Sequence, residues 1–382
     1  MGAIVELPSG SYRQQVQVAG RRHSVTGENK QEVRRKVREL LHNADKGILP
    51  PAEQITLDKY LERWLADAVK HSTRPRTFES YSALAAWYIV PVLGRHKLTA
   101  LQPGHVQKLY ADLLEHGRRS GGGPLSTKTV RNVHGCLHTA LEQAVKWGLV
   151  PRNVAGVVDP PRVRRKEIQA LDAVQVRTLL ATAHGTRWEA LLTLAIATGM
   201  RQGELLGLKW GDVDLDARAL HVRRQLGRDG TLAEPKTSKA RRKVELPSYA
   251  VTALREHRAR QNELRLKWGP EWEDRGLVFC TLAGYRGKKA EPGSGTRPGG
   301  ALQARNVVRE FKVLLGRAEL PDVPFHALRH TAATLLLQKG VHPKIVQERL
   351  GHSNIAMTLD TYSHVMPSMD RGAADLLDEL LG

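Results

Sequence analysis

Cysteine, acidic residues and long apolar stretches are all scarce in this chain of 382 residues. The two cysteines, Cys136 and Cys280, lie in apolar neighbourhoods and are too few for a disulfide framework or a four-cysteine zinc site. No stretch approaches the roughly 18 uncharged apolar residues that a membrane-spanning helix requires. The opening residues, MGAIVELPSG, lack the basic and apolar regions of a secretory signal. We therefore expect a protein without membrane attachment that resides in the cytoplasm with reduced cysteines.

Acidic side chains number 39, against 59 lysines and arginines, so the formal net charge is +20. A basic excess of this size attracts polyanions, and nucleic acid is the partner that it favours. A surface that is basic only for solubility is the alternative, because net charge by itself indicates no chemistry.

The chain length favours two or three domains. Residues 1–50 predict a small basic module, in which alternating residues at 10–26 indicate antiparallel strands and Asn29 caps a following helix. Residues 56–150 predict a helical bundle, because apolar residues recur there at helical spacing. The second helix of this bundle should stop near Pro91 and Gly94. The predicted helices of the bundle begin at Thr56, Thr77, Pro103 and Ser126.

Residues 151–166 predict a basic linker, since they include the segment DPPRVRRK, in which prolines and cations prevail. Beyond it, residues 167–382 predict a mixed domain that is mostly helical and contains one small antiparallel sheet. The glycine- and cation-rich segment 284–300 is expected to form a loop. The fold class expected for the whole chain is therefore multidomain and mainly α. The strands expected in the small sheet are 219–225, 231–234 and 242–246.

Six polar residues stand out in the second half of the chain, within otherwise apolar helical sequence. They occur in the segments TGMRQGELL with Arg201, PKTSKARRK with Lys236, HALRHT with His326 and Arg329, LGHSN with His352, and DTYSHV with Tyr362. Arginine forks match phosphate oxygens, and a tyrosine hydroxyl with an ordinary pKa of about 10 becomes a nucleophile when cations or a base assist it, which the arginines and His326 can provide. A lysine can protonate a leaving oxygen. The set suits attack on a phosphodiester.

These segments, in this order, resemble those of the tyrosine recombinases, a family that includes phage and conjugative-element integrases, and the resemblance covers residues 166–382. It implies a site-specific recombinase that cleaves and rejoins DNA through a 3′-phosphotyrosine intermediate on Tyr362, integrating a mobile element. Neither a cofactor nor a metal ion is expected, because the covalent link retains the energy of the broken bond. The other catalytic residues implied are Arg201, Lys236, His326, Arg329 and His352.

The resemblance also implies double-stranded attachment sites as partners and a homotetramer on two synapsed duplexes. Residues 1–50 resemble an arm-type DNA-binding domain, with a basic appendage that docks on its own protein as the alternative, and residues 56–150 resemble a core-binding domain. The sequence leaves open whether an excisionase and a DNA-bending host protein take part. It also leaves open whether the leucine-rich tail at 373–381 packs on its own chain or on a neighbouring protomer.

Other interpretations compete with this one. A type IB topoisomerase uses similar chemistry without strand exchange, a DNA-binding regulator can keep the fold without activity, and a metal-dependent nuclease is a further alternative. Lys236 competes with the four other cations of its segment for the role of general acid. We expect His330 to be a packed or hydrogen-bonded core histidine, and Glu204 to orient Arg201 or stabilise the local fold, so neither is placed among the site residues.

Overall fold

The chain divides into two compact units, Met1–Arg165 and Lys166–Gly382. Within the part of the chain that the structure describes, no helix is long and apolar enough to cross a membrane. The structure is a computed structural model, and it describes residues 2–18, 21–45, 55–119, 121–163, 169–227, 229–234, 241–282, 297–352, 354–362 and 377–381.

The first unit begins with a three-stranded antiparallel sheet and a helix. Strands β1 (Val5–Glu6), β2 (Tyr12–Val18) and β3 (Arg21–Gly27) follow one another in the sheet, and α1 (Lys30–Asp45) packs on it. Asn29 accepts a hydrogen bond from the backbone N–H of Glu32 at the start of α1, as an N-cap residue should. The small core between sheet and helix consists of Val16, Val18, Val33 and Val37.

The rest of this unit is a bundle of helices around an apolar core. Amphipathic helices bury one stripe each, and here the largest buried side chains include Trp64, Tyr60 and Tyr110. Ala155 and Val158 also belong to this core, so the packing continues into the segment 151–166. Its helices are α2 (Leu57–Trp64), α3 (Lys70–Ser72), α4 (Pro75–Leu84), α5 (Val90–Leu93), α6 (Pro103–His116) and α7 (Thr127–Lys146).

Two π-helical turns join helices of the bundle, Leu65–Val69 between α2 and α3 and Ala85–Ile89 between α4 and α5. The sequence predicts that the second helix stops near Pro91 and Gly94, and this is confirmed, because the helix ends at Leu93 with Gly94 as its C-cap residue. Pro91 does not interrupt the backbone, which stays helical from Pro75 to Leu93.

The second unit combines helices with two small antiparallel sheets. Strands β4 (Val213–Asp214), β5 (Ala219–Val222) and β8 (Arg242–Glu245) form one sheet, and β6 (Gln225–Leu226) pairs with β7 (Leu232–Ala233) in the other. The small antiparallel sheet predicted from the sequence is thus present as β4, β5 and β8, and the pair β6 and β7 adds a second one. The helices of this unit are α8 (Ala173–Ala183), α9 (Glu189–Thr198), α10 (Gln202–Leu206), α11 (Ser248–Trp268), α12 (Ala304–Arg317), α13 (Ala327–Gln338), α14 (Pro343–Leu350) and α15 (Ile355–Tyr362).

Helix α9 lies at the centre of this unit. Its sequence, EALLTLAIAT, is apolar on every side, which is typical of a helix surrounded by protein, and it packs against α8, α10, α11 and α13. It ends at Gly199, which adopts a left-handed conformation with φ of 62°. Residues that follow this end are thereby held beside α13.

Candidate active site

Gly199 brings two helices of the second unit into close contact. A Cβ atom added at this position would collide with the side chain of Leu350, so only glycine fits both the backbone conformation and the space. The chain then turns through buried Met200 into Arg201, which occupies the N-cap position of α10. The backbone carbonyl of Gly199 accepts a hydrogen bond of 2.8 Å from Nη1 of Arg329. The end of α9 therefore positions both arginines.

Glu204 joins two guanidinium groups. It is only 2% exposed, and its carboxylate accepts hydrogen bonds of 2.8 Å from Nη1 of Arg201 and 2.9 Å from Nη2 of Arg242. Burial alone would raise the pKa of Glu204, but Arg242 and then Arg201 lower it below its ordinary value. The carboxylate is therefore ionised, and it forms an ion pair with each guanidinium while leaving a net positive charge. Nη2 of Arg201 also reaches the carbonyl of Gly351, at 3.4 Å.

Arg329 is the most deeply buried cation of the site. The residue is 3% exposed, and its Nη2 atom has no hydrogen-bond partner among the described residues. Burial, followed by repulsion from Arg201, lowers the pKa of Arg329 to about 9, so the guanidinium remains charged at neutral pH. A buried charged donor without a partner is costly, and an anion beside it would remove the cost.

Two histidines of the predicted set adjoin the arginines. His326 precedes α13 and stays exposed, and desolvation, Arg329 and Arg201 together lower its pKa. His352 is 8% exposed, and burial, then the charges of Arg329 and Arg201, lower its pKa to about 3. Nδ1 of His352 lies 2.8 Å from the hydroxyl oxygen of buried Thr358. His352 is therefore neutral at physiological pH, with one ring nitrogen already engaged.

Tyr362 is the last described residue of α15 and is 2% exposed. Its Oη atom lies 2.6 Å from Nδ1 of His330, a residue that the sequence predictions leave outside the site. Burial raises the pKa of Tyr362 to about 12, and the charge of Arg329 opposes this rise. The phenol is therefore protonated and is electrostatically coupled to a guanidinium of the same unit.

Lys236 lies outside the described residues. The described strands on either side of its segment border a basic cavity of about 760 Å³. Arg242 lines this cavity and also contacts Glu204, so the cavity adjoins the arginine cluster. The other cationic residues that line it are Lys209, Arg223, Arg224, Arg241 and Lys243.

Five of the six predicted residues thus lie in one electrostatically coupled site: Arg201, His326, Arg329, His352 and Tyr362. Sequence reasoning missed the contributions of Arg242, Thr358 and His330, which depend on contacts between distant segments. The only sequence signal for His330 was its position four residues after His326, on the same side of a helix. Within the described ranges, no three histidine, cysteine, aspartate or glutamate side chains are grouped as metal ligands would be.

Comparisons with known proteins agree with this geometry. Residues 169–369 match the model of the phage integrase family, and residues 56–114 match that of the phage integrase N-terminal SAM-like domain. A tyrosine recombinase XerC-like protein of Caldanaerobacter subterraneus subsp. tengcongensis is 32% identical over 93% of this chain and 90% of its own length. An integrase of Saccharopolyspora erythraea is 26% identical over 94% of this chain and 90% of its own length.

Solved structures show the same fold. A Tn1549 transposon integrase in complex with a circular intermediate DNA matches with a TM-score of 0.67 and 21% identity, over 85% of this chain and 99% of that chain. A lambda integrase dimer bound to a core site matches with a TM-score of 0.58 and 16% identity, over 96% of this chain and 95% of that chain. The expected fold class, multidomain and mainly α, is confirmed.

The chain belongs to the phage integrase family. It is a tyrosine recombinase, an enzyme that cleaves and rejoins DNA at specific sites.

Proposed function

We propose that this recombinase integrates a mobile element by exchanging strands between two attachment sites, with Tyr362 as its nucleophile. The observation that carries the proposal is the grouping of two arginines, two histidines and a buried tyrosine in one unit, with Nη2 of Arg329 lacking a partner among the described residues. A scissile phosphate would supply the missing acceptor.

In the proposed reaction, the hydroxyl of Tyr362 gives up its proton to a neighbouring base, its Oη attacks the phosphorus atom, and the bond from phosphorus to O5′ of the deoxyribose breaks. This forms a 3′-phosphotyrosine and frees a 5′-hydroxyl, whose proton comes from Lys236 as general acid. Negative charge grows on the phosphoryl oxygens as the tyrosine attacks, and Arg201 and Arg329 stabilise it as fixed cationic donors. Rejoining reverses these steps with a hydroxyl from the partner duplex.

The two histidines of the predicted set donate hydrogen bonds to the phosphate in this proposal. We assign the neutral ring of His352 the tautomer with its proton on Nε2, so that Nδ1 accepts from the hydroxyl of Thr358 and Nε2 can donate to a phosphate oxygen. His326 stands exposed beside Arg329 and contributes a second donor. The arginines thus supply positive charge, and the histidines supply oriented hydrogen-bond donors.

The first unit would hold the DNA. Arg34, Arg35 and Arg38 are exposed on α1, which supports a role of residues 1–50 in binding arm-type sites through phosphates. Residues 56–150 would bind the core site, with 151–166 as a basic linker to a catalytic domain at 167–382. The match of residues 56–114 to the SAM-like domain of phage integrases supports this division.

The assembly proposed is a tetramer on two duplexes. A lambda integrase tetramer bound to a Holliday junction matches this chain with a TM-score of 0.58 at 16% identity. Leu377, Leu380 and Leu381 of the tail are 56%, 76% and 83% exposed, which suits a contact with a neighbouring protomer. We place the reaction in the cytoplasm, and an excisionase or a DNA-bending host protein would set its direction.

The proposal is tested with a nicked suicide duplex that carries the attachment-site core, mapped from the junctions of the integrated element. The wild-type protein should form a covalent adduct that survives denaturing electrophoresis and persists in EDTA. The Tyr362→Phe variant should bind the same duplex and form none. Cleavage by this variant at the wild-type rate would refute the mechanism. Relaxation of any supercoiled plasmid without exchange between defined sites would instead indicate a topoisomerase.

A further inference from the structure

The hydroxyl of Tyr362 makes one hydrogen bond within the described part of the chain, to His330 at 2.6 Å. The two ring centroids are 5.8 Å apart with an interplanar angle of 49°, so the rings meet at their edges and do not stack. This contact joins the atom that attacks phosphorus in the proposed reaction to a ring nitrogen that can hold a proton.

Packing around the tyrosine fixes this contact. Tyr362 belongs to a small buried cluster with Ala333 and Leu337 of α13. His330 precedes these residues by three and seven positions, and residues at this spacing share one face of a helix. The face of α13 that buries the phenol ring therefore also presents Nδ1 of His330 to the hydroxyl.

The direction of the hydrogen bond depends on the protonation of its partners and on the tautomer of the imidazole. Burial raises the pKa of Tyr362 to about 12, so the phenol keeps its proton. Burial, followed by the charges of His326 and Arg329, lowers the pKa of His330 to about 4, so the imidazole is neutral. A neutral ring with its proton on Nε2 accepts at Nδ1. We assign this tautomer to His330, so that the tyrosine hydroxyl donates to Nδ1.

We propose that His330 is a catalytic residue of the recombinase, which accepts the hydroxyl hydrogen of Tyr362 through Nδ1 and takes that proton as the tyrosine attacks. The proposal rests on the function proposed above. In the step, the bond from Oη to phosphorus forms, the bond from phosphorus to O5′ breaks, and the phenol proton moves to Nδ1. O5′ receives a proton from the general acid. During rejoining, the imidazolium returns its proton to Oη as the tyrosine leaves.

His330 suits this role better than His326 does. The His326 side chain is exposed, and among the described residues it makes no hydrogen bond to the tyrosine, although its ring lies 5.0 Å from that of His330 in an edge-on arrangement. The two histidines of the HALRHT segment thus have different roles in the proposed reaction. His326 faces the phosphate, and His330 serves the nucleophile.

The test compares adduct formation on two suicide duplexes, one with the natural phosphodiester and one with sulfur at the bridging 5′ position. Sulfur leaves without a proton, so this duplex removes the need for a general acid but not for a base. We expect His330→Ala to lower the rate at least about a hundredfold on both duplexes. Lys236→Ala is the matched control, and the sulfur duplex should restore its rate.

A second variant separates proton transfer from orientation. The side-chain oxygen of His330→Asn can replace Nδ1 as a hydrogen-bond acceptor but cannot take up the proton, so we expect it to recover only part of the rate that His330→Ala loses. Both variants should bind the duplex as the wild type does, and His330→Asn keeps the test informative if the alanine variant unfolds.

Three outcomes would overturn the inference. The first is a wild-type rate of adduct formation in His330→Ala, and the second is restoration of the rate of that variant by the sulfur duplex. The third is full activity in His330→Asn, which would mean that His330 only orients the hydroxyl. If wild-type protein itself forms no adduct, the proposed function fails instead, so the two failures are distinguishable.

Discussion

The two halves of the active site carry similar cations but hold them differently. In the half formed by α10 and β8, Arg201 and Arg242 share the buried carboxylate of Glu204. In the half formed by α13 and α15, Arg329 is buried with one nitrogen unpartnered among the described residues and acts on the phenol of Tyr362. The first half holds a buried carboxylate that pairs with both of its cations, whereas the described residues of the second half place no carboxylate in an ion pair with Arg329.

This difference separates stability from activity. Breaking a buried ion pair leaves an uncompensated charge and destabilises a protein strongly, whereas removing a cation that lacks a partner also removes the cost of its burial. The half around Glu204 should therefore matter most for folding. The half around Arg329 should matter most for cleavage, because its unmet donor is available to a phosphate.

The largest expected effect is that of Arg329→Met on cleavage. Methionine fills a similar volume but offers no donor, so adduct formation on a suicide duplex should fall by about a thousandfold. Stability in urea should change by less than about 1 kcal/mol, because loss of the hydrogen bond to Gly199 is offset by loss of the unpartnered donor. Arg329→Lys keeps the charge without the fork and should stay impaired. A large loss of stability in Arg329→Met would remove the contrast between the halves.

Glu204→Gln tests the other half. Without the carboxylate, two neighbouring guanidiniums remain close together and uncompensated, so the free energy of unfolding should fall by about 3 kcal/mol, measured by urea denaturation. Glu234→Gln is the matched control, because its exposed carboxylate pairs with exposed Arg241 and should contribute less than about 0.5 kcal/mol. Equal losses in the two variants would show that Glu204 does not hold this half together.

Thr358→Val makes a smaller change within the second half. It should lower adduct formation by about tenfold, because the ring of His352 loses the hydroxyl that fixes its tautomer. Thr358→Ser retains the hydroxyl and should remain close to wild type. Full activity of Thr358→Val would mean that His352 needs no such partner.

The sequence was most informative where one segment decides the structure. Apolar spacing predicted the helices of the bundle, and Asn29 predicted the start of α1, because both signals act within a few residues. The π-helical turns were missed, since a shift in backbone hydrogen bonding leaves side-chain spacing almost unchanged. The two-sheet arrangement was missed because strand spacing does not specify which strands pair.

In the candidate site, too, the features that one segment decides could be predicted and the contacts between distant segments could not. Residues in recognisable segments, such as Arg201 and Tyr362, could be predicted from their order along the chain. The contact of Glu204 with Arg201, three positions away, was also expected, but the long-range contacts could not be predicted, because Arg242 meets Glu204 across 38 positions and His330 meets Tyr362 across 32. A buried polar residue on a helix looks the same in the sequence whether it packs or serves a reacting group. The roles of all six predicted residues remain predictions.

Lowering the pH should remove the stabilising contributions of the two halves at different pH values, and this is the smallest effect that we expect. The folded protein lowers the pKa of His352 from 6.5 to about 3, so as pH falls below 6.5 the unfolded chain binds a proton that the folded chain does not. His352 should therefore lower stability by about 1 kcal/mol per pH unit between pH 6.5 and 5, below the full value of about 1.4 because the imidazole of the unfolded chain is only half protonated at pH 6.5. His352→Gln should reduce this slope.

Glu204 has a pKa below its ordinary 4.5, so its contribution to stability is present above pH 4.5 and is lost only in stronger acid. Urea midpoints of the wild type and of His352→Gln, measured from pH 7 to 4, would test this order. An equal slope of stability against pH in the two proteins would contradict it.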